Sequence, residues 1–334
     1  MRRRELLRGA MAAGATAALA GRSRSADAEA PPETTRITLL QTASMCQAPQ
    51  YVAEDLLRGE GFTDVRYIDK GKDGQRAIAD ALASGEASIN MHFSGPLILR
   101  LDTGAPITIL AGVHPGCYEL FATERVRTLS DLKGKTVGIR GLEGPEHVFL
   151  SSMLAYVGLD PRKDVTWVTH STDKSIALLA EGKIDAFMGF PPDPQEIRAR
   201  KIGHVVVDSN LDRPWSQYFC CVVAANREFA QKYPVATKRA LRAILKGTDV
   251  CASEPDRVSR YLVDSGRTPR YDLMRQVLKE IRYDRWRTYN PEDTVRFFAL
   301  RLREAGMIRS TPQKIITQGT DWRFLNELKK ELKG

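Results

Sequence analysis

The sequence predicts an α/β protein of two lobes, each a mainly parallel sheet flanked by helices. Three observations carry this expectation. Short apolar strands alternate with helical periodicity from residue 36 onward, the alternation restarts near residue 129, and an apolar strand at 218–225 is placed to return the chain to the first sheet. The 334 residues suffice for two cores of ordinary size.

Taken in order, residues 36–41 (RITLLQ) alternate as a strand and run into a small polar loop at 42–49. A helix is expected at 50–58, stopped by residues 59–63; a strand at 65–68 and an Ala-rich helix at 74–84 complete a βαβα unit. A third strand at 87–92 leads into Phe93-Ser94-Gly95-Pro96, where proline at the first turn suits a helix start. The fourth strand is 107–113. The second lobe begins with a short helix and turn at 129–135 and a strand at 136–140. A Gly-bearing loop at 141–145 then opens a helix at 146–157. Strands at 165–169, 184–190 and 205–208 and a helix at 174–181 follow, and from residue 228 the pattern is helical. The expected organisation is a leader at 1–28, the first part of lobe 1 at 29–119, an inserted lobe 2 at 120–218, and the return with C-terminal helices at 219–334. Crossings near Leu120 and Phe219 then form a hinge.

The leader has three parts: Arg2-Arg3-Arg4, an apolar stretch from Gly9 to Ala20, and Ala26-Asp27-Ala28, which fits a small-x-small cleavage site. The Arg3-Arg4 pair and weak apolar stretch follow the twin-arginine pattern, and about eleven mildly apolar residues are too few to span a bilayer. Export to the periplasm is therefore expected. Six of the arginines behind the net charge of +9 lie in this leader, and beyond it 44 basic residues face 39 acidic ones, spread along helical segments. No basic run is interleaved with stacking aromatics, so nucleic acid is not an expected partner.

Five cysteines, Cys46, Cys117, Cys220, Cys221 and Cys251, lie outside the leader. Their spacing holds no CxxC and no paired histidine, so no metal site is expected. Cys117 and the pair Cys220-Cys221 fall on the two crossing strands, where either a disulfide or reduced buried thiols would fit. Strand neighbours point to opposite faces, so only one of the pair is expected to face Cys117. There is no Gly-x-Ser-x-Gly elbow, His-Glu-x-x-His, Walker loop or dinucleotide fingerprint, so neither an enzyme nor a cofactor is expected.

In open α/β sheets a ligand sits beyond the carboxyl ends of the strands. The loops there supply Thr42, Ser44, Gln47 and Tyr51 after the first strand, His92, Phe93 and Ser94 after the third, and His114 after the fourth. Lobe 2 supplies Gly144, Pro145, Glu146 and His147 at a helix entrance, then Phe190 and Trp215. A Gly-bearing loop opening a helix offers free N–H groups and the positive dipole end to an anion. Phe93, Tyr51 and Trp215 offer apolar walls. His92 and His114 suit either a cleft donor or a core histidine, and Ser44 and Ser94 either a donor or a helix cap.

Three segments carry a resemblance: Gln41-Thr-Ala-Ser with Pro49-Gln-Tyr-Val-Ala-Glu54, Asp131-Leu-Lys-Gly-Lys-Thr-Val137, and Glu181-Gly-Lys-Ile-Asp-Ala186. Here the chain resembles the nitrate/sulfonate/taurine-type periplasmic binding proteins of ABC importers, over roughly residues 36–228. The resemblance implies the two-lobed type II periplasmic-binding-protein fold, a small molecule in the interlobe cleft, an ABC importer membrane permease as partner, and a monomer. The expected function is delivery of a small organic anion, sulfonate- or carboxylate-like. The alternatives are a pyrimidine-precursor binder or synthase-like enzyme of thiamine biosynthesis, or an exported ligand sensor. Synthase-like relatives are marked by a dense cysteine cluster, whereas this chain has only Phe219-Cys-Cys-Val222.

Overall fold

A computed structural model describes residues 29–71 and 74–332; the expected leader at 1–28 lies outside them. Strand β1 (Arg36–Gln41) pairs in parallel with β2 (Asp64–Asp69) across the helix α1 (Ala48–Gly59), which starts two residues earlier than expected, with Pro49 in its first turn. After α2 (Gly74–Ser84) comes β3 (Ile89–Phe93), where Ser88 N–H donates to the Thr38 carbonyl (2.8 Å) and sets this segment beside β1. The helix α3 (Ser94–Asp102) and β4 (Ile107–Pro115) complete the first run.

The chain then passes directly into β5 (Glu119–Ala122), a strand the sequence reading treats only as a crossing. All four of its residues are buried, so it has no polar/apolar alternation to betray it. Next come β6 (Lys135–Ile139), α4 (Pro145–Tyr156), β7 (Val165–Thr169), α5 (Thr172–Ala180), β8 (Ala186–Gly189), α6 (Asp193–Ala199) and β9 (His204–Asp208). These strands make one five-stranded sheet in the order β7-β6-β8-β5-β9. Strand β10 (Phe219–Asn226) goes back between β3 and β4. The rest is helical, from α7 (Arg227–Lys232) and α8 (Pro234–Ser253) through α9 (Pro255–Asp264), α10 (Tyr271–Glu280), α11 (Pro291–Glu304), α12 (Pro312–Gly319) and α13 (Arg323–Glu331).

The sheets are mixed rather than mainly parallel. The antiparallel members are β5, against β8 and β9, and β10, against β3 and β4. Both reach their sheets by a short direct passage instead of a helical crossover, which reverses their sense. Where these passages lie side by side, Ser209 ties them: its hydroxyl accepts from Cys117 N–H (3.2 Å) and Tyr118 N–H (2.9 Å). Gly116 is required there, because φ is +59° and a Cβ would lie 2.3 Å from Asn210 Cα. Among the described residues no helix is long and apolar enough to cross a membrane.

Candidate ligand-binding site

The loops after β1 and β8 meet: Met45 N–H donates to the Pro191 carbonyl (3.1 Å). Three of the expected site residues, Thr42, Gln47 and Tyr51, hydrogen-bond in and around the first of these loops. The Tyr51 hydroxyl accepts from Thr42 N–H (2.7 Å) and donates to the Thr42 carbonyl (2.9 Å). The Thr42 hydroxyl donates to Gln47 Oε1 (2.9 Å), and Gln47 Nε2 donates to the Met91 carbonyl (3.0 Å). The Tyr51 ring lies under the Arg267 guanidinium (4.9 Å), away from Phe93. Ser44 holds the turn by donating its N–H to Thr42 Oγ1 (3.3 Å), and its hydroxyl touches the Cys46 sulfur (3.0 Å).

At the head of β3, His92 and Ser94 are fully buried, and neither His92 ring nitrogen nor Ser94 Oγ has a hydrogen-bond partner. Burial pushes the His92 pKa down to about 4, against the opposing pull of Cys221 and Asp80, so the ring is neutral. Phe93 packs against Tyr118 (5.5 Å), Phe149 (5.0 Å) and Phe298 (5.2 Å), and Trp215 joins through Phe149 (5.7 Å). These expected cleft walls are an inner aromatic core joining β3, α4 and α11.

Gly144 caps α4 in extended conformation and Pro145 occupies its first turn, as a helix entrance requires. Glu146, expected to touch ligand, is buried and ion-paired with Arg140 at the end of β6. Arg140 also reaches Asp193 Oδ2 (3.0 Å) and places its guanidinium carbon over the Phe190 ring (4.0 Å). Burial pushes Asp193 up to about 6, opposed by Arg140. His147 is turned to the loop: its Nδ1 accepts from Glu143 N–H (3.0 Å) and its ring edges onto Trp167 (4.7 Å). Desolvation lowers its pKa to about 4, so it is a neutral loop anchor. Arg140, the cation of this cluster, carries no signal in the sequence because it closes an apolar strand, VGIR, and reads as its last residue.

His114 leaves the polar loops and joins the cysteines. Its Nδ1 faces the carbonyls of Pro115 and Gly116 (both 3.2 Å), and its Nε2 is buried without a partner. Cys117 Sγ is 3.3 Å from Cys220 Sγ, and Cys221 also interacts with Cys117 and Cys46. The expectation that only one of the adjacent cysteines can face Cys117 is overturned by a β-bulge. The β10–β4 register slips between Phe219 and Cys221, so Cys220 is an extra residue and both side chains are aimed to one side.

Two α/β units joined by adjacent crossing strands, with polar strand-end loops meeting between them, define the architecture of the periplasmic binding proteins. The solved structures confirm that fold. The nitrate-binding protein NrtA from Synechocystis PCC 6803 superposes with a TM-score of 0.72 at 15% identity, covering 91% of this chain and 90% of that one. A putative sulfonate-binding SsuA from Methylobacillus flagellatus KT gives 0.65 at 18%, covering 89% and 94%. The aliphatic sulphonate-binding SsuA from Escherichia coli gives 0.60 at 18%, covering 81% and 85%. The chain belongs to the NMT1/THI5-like family, whose model matches residues 49–258. None of the curated proteins matches it.

Proposed function

We propose that the protein is an exported solute-binding protein that holds a small organic anion between its strand-end loops and presents it to the membrane permease of an ABC importer. The reading rests on the fold, on the family, and on one observation at the site: the Arg140 guanidinium, a quarter exposed, lies over Phe190 at the entrance of α4. A planar cation on an aromatic floor at a helix N-terminus suits a carboxylate or sulfonate head. The neighbouring acids temper it. Glu146 neutralises part of the charge, and Asp193, with its pKa near 6, meets an incoming anion most easily when protonated. The solved neighbours named for nitrate and sulfonates support this class of ligand and a periplasmic site of action. The working unit is lobe 1 at 29–119 and 219–334 and lobe 2 at 120–218, acting as a monomer that binds without turnover.

A thermal-shift screen of sulfonates, carboxylates, nitrate, amino acids and pyrimidines tests the proposal. A ligand at a hundred times its Kd stabilises the folded state by about 2.7 kcal/mol, a shift of several degrees. Replacing Arg140 alone would strand the buried Glu146 and Asp193, so the informative variant is the triple substitution Arg140→Gln, Glu146→Gln and Asp193→Asn. It is expected to weaken the best anionic hit at least tenfold. Stabilisation by neutral or cationic compounds alone, or chemical turnover of the hit, would overturn the reading.

A further inference from the structure

Four cysteines that lie up to 175 positions apart in the chain converge in one buried cluster with His114. Cys46 comes from the loop after β1, Cys117 from the passage into β5, and Cys220 and Cys221 from the bulge that opens β10. Cys46 Sγ, Cys117 Sγ and a His114 ring nitrogen all lie within 4.8 Å of one another, and Cys220 Sγ is 3.3 Å from Cys117 Sγ.

Buried cysteines commonly act as small hydrophobes, and Cys251 shows what that looks like: it is fully buried, with desolvation alone acting on its thiol. The cluster differs in three ways. Its sulfurs lie in the apolar core but also meet each other, Cys117 with Cys220 and Cys221 with Cys46 and Cys117. Cys117 adopts a φ of +132°, a region in which side chains other than hydrogen are strained, so an apolar filler there would more cheaply be glycine. His114 faces two backbone carbonyls through Nδ1, which makes that nitrogen an N–H donor, and the ring also interacts with the Cys46 and Cys221 sulfurs. A carbonyl behind one ring nitrogen is the support that a metal-ligating histidine uses to orient the other.

Access is also provided. A cavity of about 350 Å³ has Cys117 in its lining, together with the carboxylates Glu119, Asp208 and Glu280. Arg198, which binds Glu119 and Glu280, is the cation of that lining. Acidic groups leading to buried thiols form an entry path for a cation.

We propose that Cys46, Cys117 and His114, with Cys220 beside Cys117 and Cys221 beside Cys46 and Cys117 as the further sulfurs, bind one soft d¹⁰ cation, zinc(II) or copper(I). Donors about 2.3 Å from a common tetrahedral centre sit about 3.8 Å apart, so the three donors already within 4.8 Å of one another close on an ion by small side-chain movements. Binding replaces S–H by S–metal bonds, and each coordinating thiol releases its proton to solvent. The site stands on these residues whether or not the cleft takes an organic anion.

The test uses the full-length reduced protein, stripped with a chelator under argon and given zinc(II) alone or copper(I) alone. Native mass spectrometry is expected to show one ion per chain, with cluster thiols protected from alkylation in the loaded form. The two arms decide between the metals by competition against chelators of known affinity. Cys46→Ser and Cys117→Ser are each expected to lower affinity at least tenfold, while Cys251→Ser binds as the parent does. Apo melting curves check that each variant is folded. If one cluster variant fails to fold, the other and the alkylation pattern of the parent still decide. The proposal is overturned if both cations leave the folded parent at its apo mass, or if both serine variants bind undiminished. It is equally overturned if protein recovered from exporting cells carries a Cys117–Cys220 disulfide. Solute binding is scored separately on apo and loaded protein, so failure of the organic-anion reading leaves the metal result readable.

Discussion

His92 shows how much a single side chain can tie this fold to pH. It is fully buried with both ring nitrogens unpartnered, and desolvation holds its pKa near 4 while the unfolded chain titrates near 6.5. Between those values the unfolded state binds a proton that the folded state refuses, so stability is complete above pH 6.5 and falls as pH drops toward 4. The span corresponds to about 3 kcal/mol. The charged or polar groups acting on the ring, Cys221 and Asp80, pull the other way and are outweighed by burial. His147 adds a loss of the same sign, whereas Asp193, raised to about 6, contributes stability that is present below its ordinary range and lost as pH rises through 6. His92→Gln is therefore expected to flatten the decline between pH 6.5 and 4 in urea titrations at stepped pH, and an unchanged slope would refute the assignment. At this scale the sequence was informative about residue type and less so about role. The strand-end rule picked out His92, Ser94 and Phe190, which do lie at strand ends. It does not say which of the expected residues also brace a loop, as Thr42, Gln47 and Tyr51 do, because a hydroxyl that frames a loop and one that faces solvent look alike until their partners are known. The cysteines were the opposite case: residue type suggested chemistry, spacing argued against it, and proximity came only from topology.

Among the elements, β10 does the most to shape the site, through its bulge and through Phe219. The Phe219 ring lies on Gly112 of β4, where a Cβ would fall 2.1 Å from ring carbon Cδ2. Gly112 is thus a close-approach glycine that lets β10 seat beside β4 and carry Cys220 and Cys221 to the hinge. Gly112→Ala is expected to destabilise the protein by about 1–3 kcal/mol through overpacking. The double variant Gly112→Ala with Phe219→Leu should recover part of that loss if the clash is the cause; equal or greater loss by chemical denaturation would point elsewhere. The long periodic helices and the alternating strand β1 were legible because each buries one face against solvent on the other. Strand β5 was not, since ELFA is buried on both faces, and neither was the bulge, since the residue that slips carries no glycine or proline to mark it. The mixed sense of the sheets follows from the same two strands. A passage without a helix reverses direction, and the sequence shows how long a connection is more readily than which edge it enters.

For the molecule as a whole, the proposed function requires the two sheet units to part and close about the passages held by Ser209; beside the aromatic core of Phe93, Phe149 and Phe298, one polar group of contacts that opposes parting gathers on Glu280 at the end of α10. Its carboxylate accepts both bonds from Arg198 Nη2 (2.7 Å each) and one from Gln195 Nε2 (2.7 Å), while its backbone carbonyl accepts from Asn210 Nδ2 (2.8 Å). Arg270 on Glu196, Arg100 on Glu143, the Tyr289 hydroxyl on the Ser216 carbonyl and Met45 N–H on the Pro191 carbonyl are further polar ties between the units. Glu280 and Arg198 are both about a third exposed, so solvent screens the pair and its loss is worth about 1 kcal/mol. That is a small term for stability but roughly a five-fold change in a two-state ratio of closed to open forms. Glu280→Gln removes the charge from the clasp and keeps the backbone carbonyl that holds Asn210. Small-angle scattering without ligand is expected to give a larger radius of gyration for this variant than for the parent, with the melting temperature shifted little. A saturating ligand from the thermal-shift screen should bring both proteins to the same smaller radius, because its binding energy acts on the same equilibrium. If parent and variant give one radius that ligand leaves unchanged, the units do not move about the passages, and the binding site must admit its solute without a hinge.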